Sequence, residues 1–78
     1  MGYTAWNFRE LAVDMIPVNS SAISAVAYDP KTMRMKIRFV QGDSYDFCRV
    51  PEHVFVGLLN AQSKGNYYNA HIRDRYPC

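Results

Sequence analysis

Few of the features that announce a function are present in this chain. It has only two cysteines, Cys48 and Cys78, which is too few for a disulfide framework. Cys48 falls in an expected strand and Cys78 at an end expected to fray, so both read as free thiols in a reducing compartment. No apolar run nears the roughly 18 residues of a membrane-spanning helix. The N-terminus lacks the basic-then-apolar order of a secretory signal. A cytoplasmic protein without a membrane partner is the resulting expectation. Four scattered glycines exclude a glycine-rich phosphate loop. His53 and His71 stand outside any metal-ligand spacing, so no metal and no cofactor are expected. Cys48 with His71 is a poor nucleophile–base pair, because a mid-strand cysteine is usually an inert small hydrophobe. Nothing else suggests catalysis, and the chain reads as non-enzymatic. Charge of one sign is also scarce: nine Lys/Arg against seven Asp/Glu give +2 and a pI near 8.7. That is below the pI of about 9 at which nucleic acid becomes the default partner.

What is abundant is aromatic surface, with six Tyr, four Phe and one Trp in 78 residues. At 49% hydrophobic and 21% charged residues the composition is that of one small globular domain with a thin core. Large rings extend such a core, while each tyrosine keeps a hydroxyl that needs a partner or water.

Periodicity places the elements. In "TMRMKIRFVQGDSYDFCRVP", residues 32 to 51, Met33, Met35, Ile37 and Phe39 alternate with Arg34, Lys36 and Arg38. That is a half-buried strand. Gln41-Gly42-Asp43 turns the chain into a second alternating run with Tyr45, Phe47 and Arg49 on one face, making a hairpin. Upstream, "AISAVAYDPKT" gives another strand that ends at Asp29-Pro30-Lys31. Ile16 to Val18 suits only an edge, since Pro17 has no N–H. At Val50-Pro51 the period changes to helical. Pro51 takes the first helical position, Glu52 the first turn, and Val54, Leu58 and Ala61 one face. Gly65 ends that helix in the left-handed region, and Asn66 caps a shorter one carrying Tyr68 and Ile72.

The fold expected is α+β: a three- to four-stranded antiparallel meander with one main helix packed on a face and a short C-terminal helix. Its core would be Ile23, Val26, Tyr28, Met35, Ile37, Phe39, Tyr45, Phe47, Val54, Leu58, Tyr68 and Ile72. Residues 15–78 form the single domain and residues 1–14 an N-terminal extension. That extension is either a short helix capped by Thr4 or an arm with Trp6 and Phe8 as anchors on a second subunit.

Three stretches, "VNSSAISAVAYD", "GDSYDFCRVPEHVFVGLL" and "SKGNYYNAHIRDRYP", together resemble the KTSC domain, over about residues 15 to 77. That small domain is named for its place at the C-terminus of some lysyl-tRNA synthetases and also stands alone in bacteria and phages. The family's Tyr-x-Tyr reads Tyr45-Asp46-Phe47 here, so a phenol is missing. The resemblance implies an α+β fold and, from the synthetase context, RNA as one ligand class.

Two constellations are candidates for binding RNA or a nucleotide-type anion. Arg34, Lys36 and Arg38 project the same way at about 6.6 Å spacing, which suits a phosphate backbone. The bland alternative is a solvated face paired with Asp46 or Glu52. Lys64, Tyr67, His71, Arg73 and Arg75 add stacking rings and cations. Against that, Tyr68 and Ile72 serve to dock the helix, and Arg73 can pair with a carboxylate. Asn19 and Ser20-Ser21 either satisfy backbone groups or present hydroxyls. The competing reading of the whole chain is a protein-interaction or homo-oligomer assembly module, possibly phage-encoded, without nucleic acid.

Overall fold

The computed structural model describes residues 15–78, so the expectations for Trp6, Phe8 and the rest of 1–14 lie outside the described residues. The elements run β1 (Ile16–Pro17), β2 (Ile23–Asp29), β3 (Arg34–Phe39), β4 (Ser44–Phe47), α1 (Glu52–Asn60) and α2 (Lys64–His71). The four strands pair antiparallel in chain order, β1-β2-β3-β4. The α+β meander with two helices is as the sequence implies.

Alternation decides which side of the sheet is covered. Val26 pairs with Ile37 and Tyr28 with Met35 across β2–β3, and Met35 pairs with Phe47 and Ile37 with Tyr45 across β3–β4. These side chains share the inner face. Val54 and Leu58 of α1, four residues apart, close over it with Ile72. Ile23, Val26, Met35, Ile37, Val50, Leu58 and Ile72 are fully buried. A bulge between Ile23 and Ala25 keeps Ile23 on this face opposite Phe39. The other face carries Ala25, Ala27, Arg34, Lys36, Arg38, Ser44 and Asp46.

The turns follow local chemistry. Asp29 accepts from the Lys31 N–H at 3.0 Å, and the loop ends with Met33 at φ 62°, so β3 starts at Arg34 and Met33 leaves the alternation. Between β3 and β4 the Gly42 N–H donates to the Phe39 carbonyl and the Phe39 N–H to Asp43. Gly42 sits at φ 115°, which a side chain would resist.

Several expectations fail at element ends. Pro51 is the N-cap of α1, in extended geometry, and not its first helical residue. Ser63, not Asn66, caps α2: its hydroxyl accepts from the Asn66 N–H at 3.3 Å. Gly65 lies inside α2 instead of ending α1. A Cβ there would come within 3.2 Å of Ala22, so the glycine serves close packing. Arg49, at φ 56°, is outside β4 and does not continue its inner face.

The core is also narrower in one place and wider in another than alternation suggests. Tyr45 is 49% exposed because β4 is the edge strand of the sheet among the described residues. Tyr28, Phe39 and Tyr68 are half-buried around the core. Val50 was missing from the expected set and is fully buried. Its N–H donates to Met33 at 2.8 Å and its carbonyl accepts from the Tyr28 hydroxyl at 2.6 Å. Ala25 and Ala27 are buried too, on the outer face.

The cysteines overturn the free-thiol expectation. Cys48 and Cys78 form a disulfide, with Cα atoms 4.9 Å apart across a separation of 30 residues. Cys48 lies just beyond β4, not within a strand. The pairing depends on the chain reversing after α2. Ile72 and Arg73 N–H groups both donate to the Tyr68 carbonyl, and Asp74 then takes φ 63°. That turn brings the Tyr76 carbonyl to the Cys48 N–H at 3.0 Å. The reducing-compartment argument loses its premise. Among the described residues, no helix is long and apolar enough to cross a membrane.

Candidate functional site

The eight cationic and aromatic candidates do not form one surface. Arg34, Lys36 and Arg38 alternate with buried Met35 and Ile37, so they project from the face opposite the helices. Lys64, Tyr67, His71, Arg73 and Arg75 lie in α2 or just after it.

On the strand side each cation has a cross-strand neighbour. Arg34 stands opposite Asp29 in the β2–β3 register. Lys36 Nζ is 3.7 Å from Asp46 and Arg38 Nε is 3.5 Å from the Ser44 hydroxyl. Three positive charges thus share a face with two carboxylates, which leaves a weak local field for phosphate. This arrangement is close to the bland alternative named for these residues.

The α2 group is divided as well. Tyr67 packs on Gly57 of α1, where a Cβ would fall on its hydroxyl and within 2.7 Å of Cζ. His71 rides on the Tyr67 ring at 4.5 Å between centroids. Lys64 donates to the Ala61 carbonyl at 3.1 Å, closing the end of α1. Tyr68 meets Phe39 and Phe47 edge-on at 5.1 and 6.1 Å and holds the helix to the sheet. Arg73 lies 4.0 Å from its exposed neighbour Asp74.

A polar cleft forms where Ser20, Ser21, Ser63 and Lys64 meet, joining two of the stretches that carry the family resemblance. Several of its polar groups are already engaged with backbone. The Ser20 hydroxyl accepts from the Ala22 and Ile23 N–H groups, Ser63 caps α2 and Lys64 caps α1.

The arrangement with most unused chemistry lies beside β4, the edge strand among the described residues. An open groove of about 390 Å³ runs between Tyr45, Asp46 and Phe47 on one side and Arg75, Tyr76 and Pro77 on the other, with Tyr68 and Asp74 also in its lining. Tyr45 packs edge-on to Phe39 at 5.7 Å and leaves half its surface open. The backbone contributes too. Phe39 directs its N–H and carbonyl toward the hairpin, so Tyr45 and Phe47 bond to β3, while Ser44 and Asp46 turn theirs outward. The Tyr68 phenol has its pKa raised, chiefly by desolvation. Arg73 opposes that shift, and Asp74 and Tyr45 add to it. Sequence reasoning named Arg75 as a candidate but not Tyr45 or Tyr76, which line the same groove, since alternation had assigned Tyr45 to the core. Among the described residues no three His, Cys, Asp or Glu side chains gather as metal ligands.

A four-stranded antiparallel sheet with two helices on one face and an aromatic groove at its edge defines a small α+β domain built around one thin core. The KTSC domain family model matches residues 19–76, and the chain belongs to that family. It is 42% identical over 62 residues to a protein of Tsukamurella paurometabola, covering 80% of this chain and 92% of that one. It is 32% identical over 66 residues to a lysine–tRNA ligase of Nostoc punctiforme, covering 85% of this chain but only 12% of the ligase. The crystal structure of a KTSC domain protein from Yersinia pestis superposes with a TM-score of 0.79 at 30% identity. That match covers 82% of this chain and 90% of the other.

Proposed function

We propose that the domain is a non-enzymatic binding module that takes a nucleotide-type ligand, a free nucleotide or the unpaired bases of an RNA, in the groove beside β4. The observation that carries this reading is the half-exposed ring of Tyr45, facing a groove shared with Tyr68, Tyr76 and Arg75. A flat base stacks on any of these rings, and because Arg75 shares the lining with the carboxylates of Asp46 and Asp74, the base and not the phosphate carries the reading. The domain's place in a lysine–tRNA ligase supports RNA as one source of such bases. The small net charge and the compensated strand face favour a short or single-stranded ligand over a duplex.

A second reading rests on the outward N–H and carbonyl of Asp46. An extended peptide from a partner or a second copy could add to β4 there. Titration of adenosine monophosphate and of a short single-stranded RNA, followed by calorimetry, separates the readings. Tyr45→Ala and Arg75→Ala should weaken binding, while Lys36→Ala on the opposite face should not. Loss on Lys36→Ala with Tyr45→Ala silent would move the site to the strand face. No heat from either ligand would leave the peptide reading.

A further inference from the structure

We propose that the Cys48–Cys78 disulfide is a redox latch on the groove: oxidised, it holds the tail as the groove's wall, and reduced, it lets that wall go. The inference rests on the groove reading for its functional consequence and on the tail's attachments for its mechanism.

One side of the groove is not secondary structure. It is the tail Arg75–Pro77, which follows a reversal at Asp74 in which Arg73, Asp74 and Arg75 are all exposed. Beyond the Arg75 N–H, which donates to the Ile72 carbonyl inside the reversal, the tail's described hydrogen-bond and covalent attachments converge on one residue. The Tyr76 carbonyl accepts from the Cys48 N–H, and the next residue but one is bonded to the Cys48 sulfur. Tyr76 adds a half-buried ring packed on the core. A segment outside secondary structure and held by so few contacts opens once a covalent tie is removed. By contrast, β3 and β4 are held by a ladder that the disulfide does not touch.

The exchange is accessible. Cys78 is exposed and Cys48 half-buried, so a thiolate of a dithiol reductant reaches Sγ of Cys78 first. A mixed disulfide forms at Cys78 and Cys48 leaves as a thiolate that takes up a proton. The reductant's second thiol then displaces Cys78. The protein gains two electrons and two protons in all, and the reductant becomes a disulfide.

Hydrogen exchange on the oxidised protein, on the protein reduced with dithiothreitol and on Cys78→Ser tests the latch without any ligand. The Cys48 amide should be protected in the oxidised protein and exchange freely in the other two, with the Ile37 amide protected in all three. Continued protection of Cys48 after reduction overturns the proposal. Loss of Ile37 protection together with Cys48 also overturns it, because the disulfide would then be a staple for the whole domain. Adenosine monophosphate titrated into the same samples should bind about tenfold more weakly after reduction, the worth of one stacking ring. Equal affinity in both states refutes control of the groove. Binding in neither state refutes the groove reading, while exchange at Cys48 still decides the latch.

Discussion

Replacing Gly57 with alanine sets two effects of opposite sign against each other, and the structure says which wins. Gly57 is in the middle of α1, where alanine is ordinarily better by about 1 kcal/mol because glycine loses more backbone freedom on folding. The added Cβ, however, would fall on the Tyr67 hydroxyl, 2.7 Å from Cζ and 3.0 Å from Cε1. Tyr67 is a rigid ring that also supports His71, so room is made only by separating α1 from α2 or by turning the ring into solvent. Overpacking of that kind costs roughly 1–3 kcal/mol. The net expectation for Gly57→Ala is therefore between no change and about 2 kcal/mol of destabilisation.

The cleaner quantity is the coupling. In a Tyr67→Ala background the obstruction is gone and the same substitution should stabilise by about 1 kcal/mol. Urea unfolding of the wild type, both single variants and the double variant closes the cycle, with the m-values checking that the unfolded state is unchanged. A coupling of about 1–3 kcal/mol is expected. If Gly57→Ala stabilises both backgrounds equally, Tyr67 does not rest on α1 and the packing argument fails.

The remaining predictions concern single interactions. Tyr28→Phe leaves the Val50 carbonyl without its donor and should cost about 1 kcal/mol by urea unfolding, with the Phe55 stack at 4.9 Å retained. The Tyr28 pKa is raised by desolvation, then by Glu52 and Asp29. Above the unfolded tyrosine value of about 10 the unfolded chain releases this proton first, so stability is full below that pH and falls as pH rises toward the raised value. Melts at stepped alkaline pH should show a shallower fall in Tyr28→Phe. Ser63→Ala should cost about 1 kcal/mol as a lost N-cap, whereas Asn66→Ala should cost less, because its contribution to the cap is the backbone N–H. Opening the 30-residue cross-link in Cys78→Ser should cost at most about 4 kcal/mol by urea unfolding, with a larger m-value because the unfolded chain expands.

The strands were legible because alternation is a local signal. Met35 and Ile37 had to share a face whatever lay above them, and a glycine between the two runs closed the hairpin. Alternation assigns a face but not a depth. Tyr45 shares the inner face with Ile37, yet β4 is the last strand, so its ring meets Phe39 on one side and open groove on the other. Helix ends were ambiguous for a different reason. Ser63 and Asn66 are both competent caps, and Gly65 between them looks like a stop until Ala22 is seen pressing on it from β2's approach. Val50 escaped notice because it belongs to no periodic run. Its burial comes from two long-range hydrogen bonds, to Met33 and Tyr28.

The site was harder to read than the fold because charge in a sequence has no partner until strands are in register. Arg34, Lys36 and Arg38 look like a row of free cations along one strand. Register sets Asp29, Asp46 and Ser44 beside them, and none of those pairings is visible in the spacing of the row itself. The groove has the opposite history. Its rings and its arginine come from β4, α2 and a tail that returns only because Asp74 adopts a left-handed turn and Cys78 finds Cys48. A surface assembled from three segments, one of them held by a reversible covalent bond, has no contiguous signature. The binding proposed for it should accordingly depend on the state of a bond that lies outside the groove's aromatic walls.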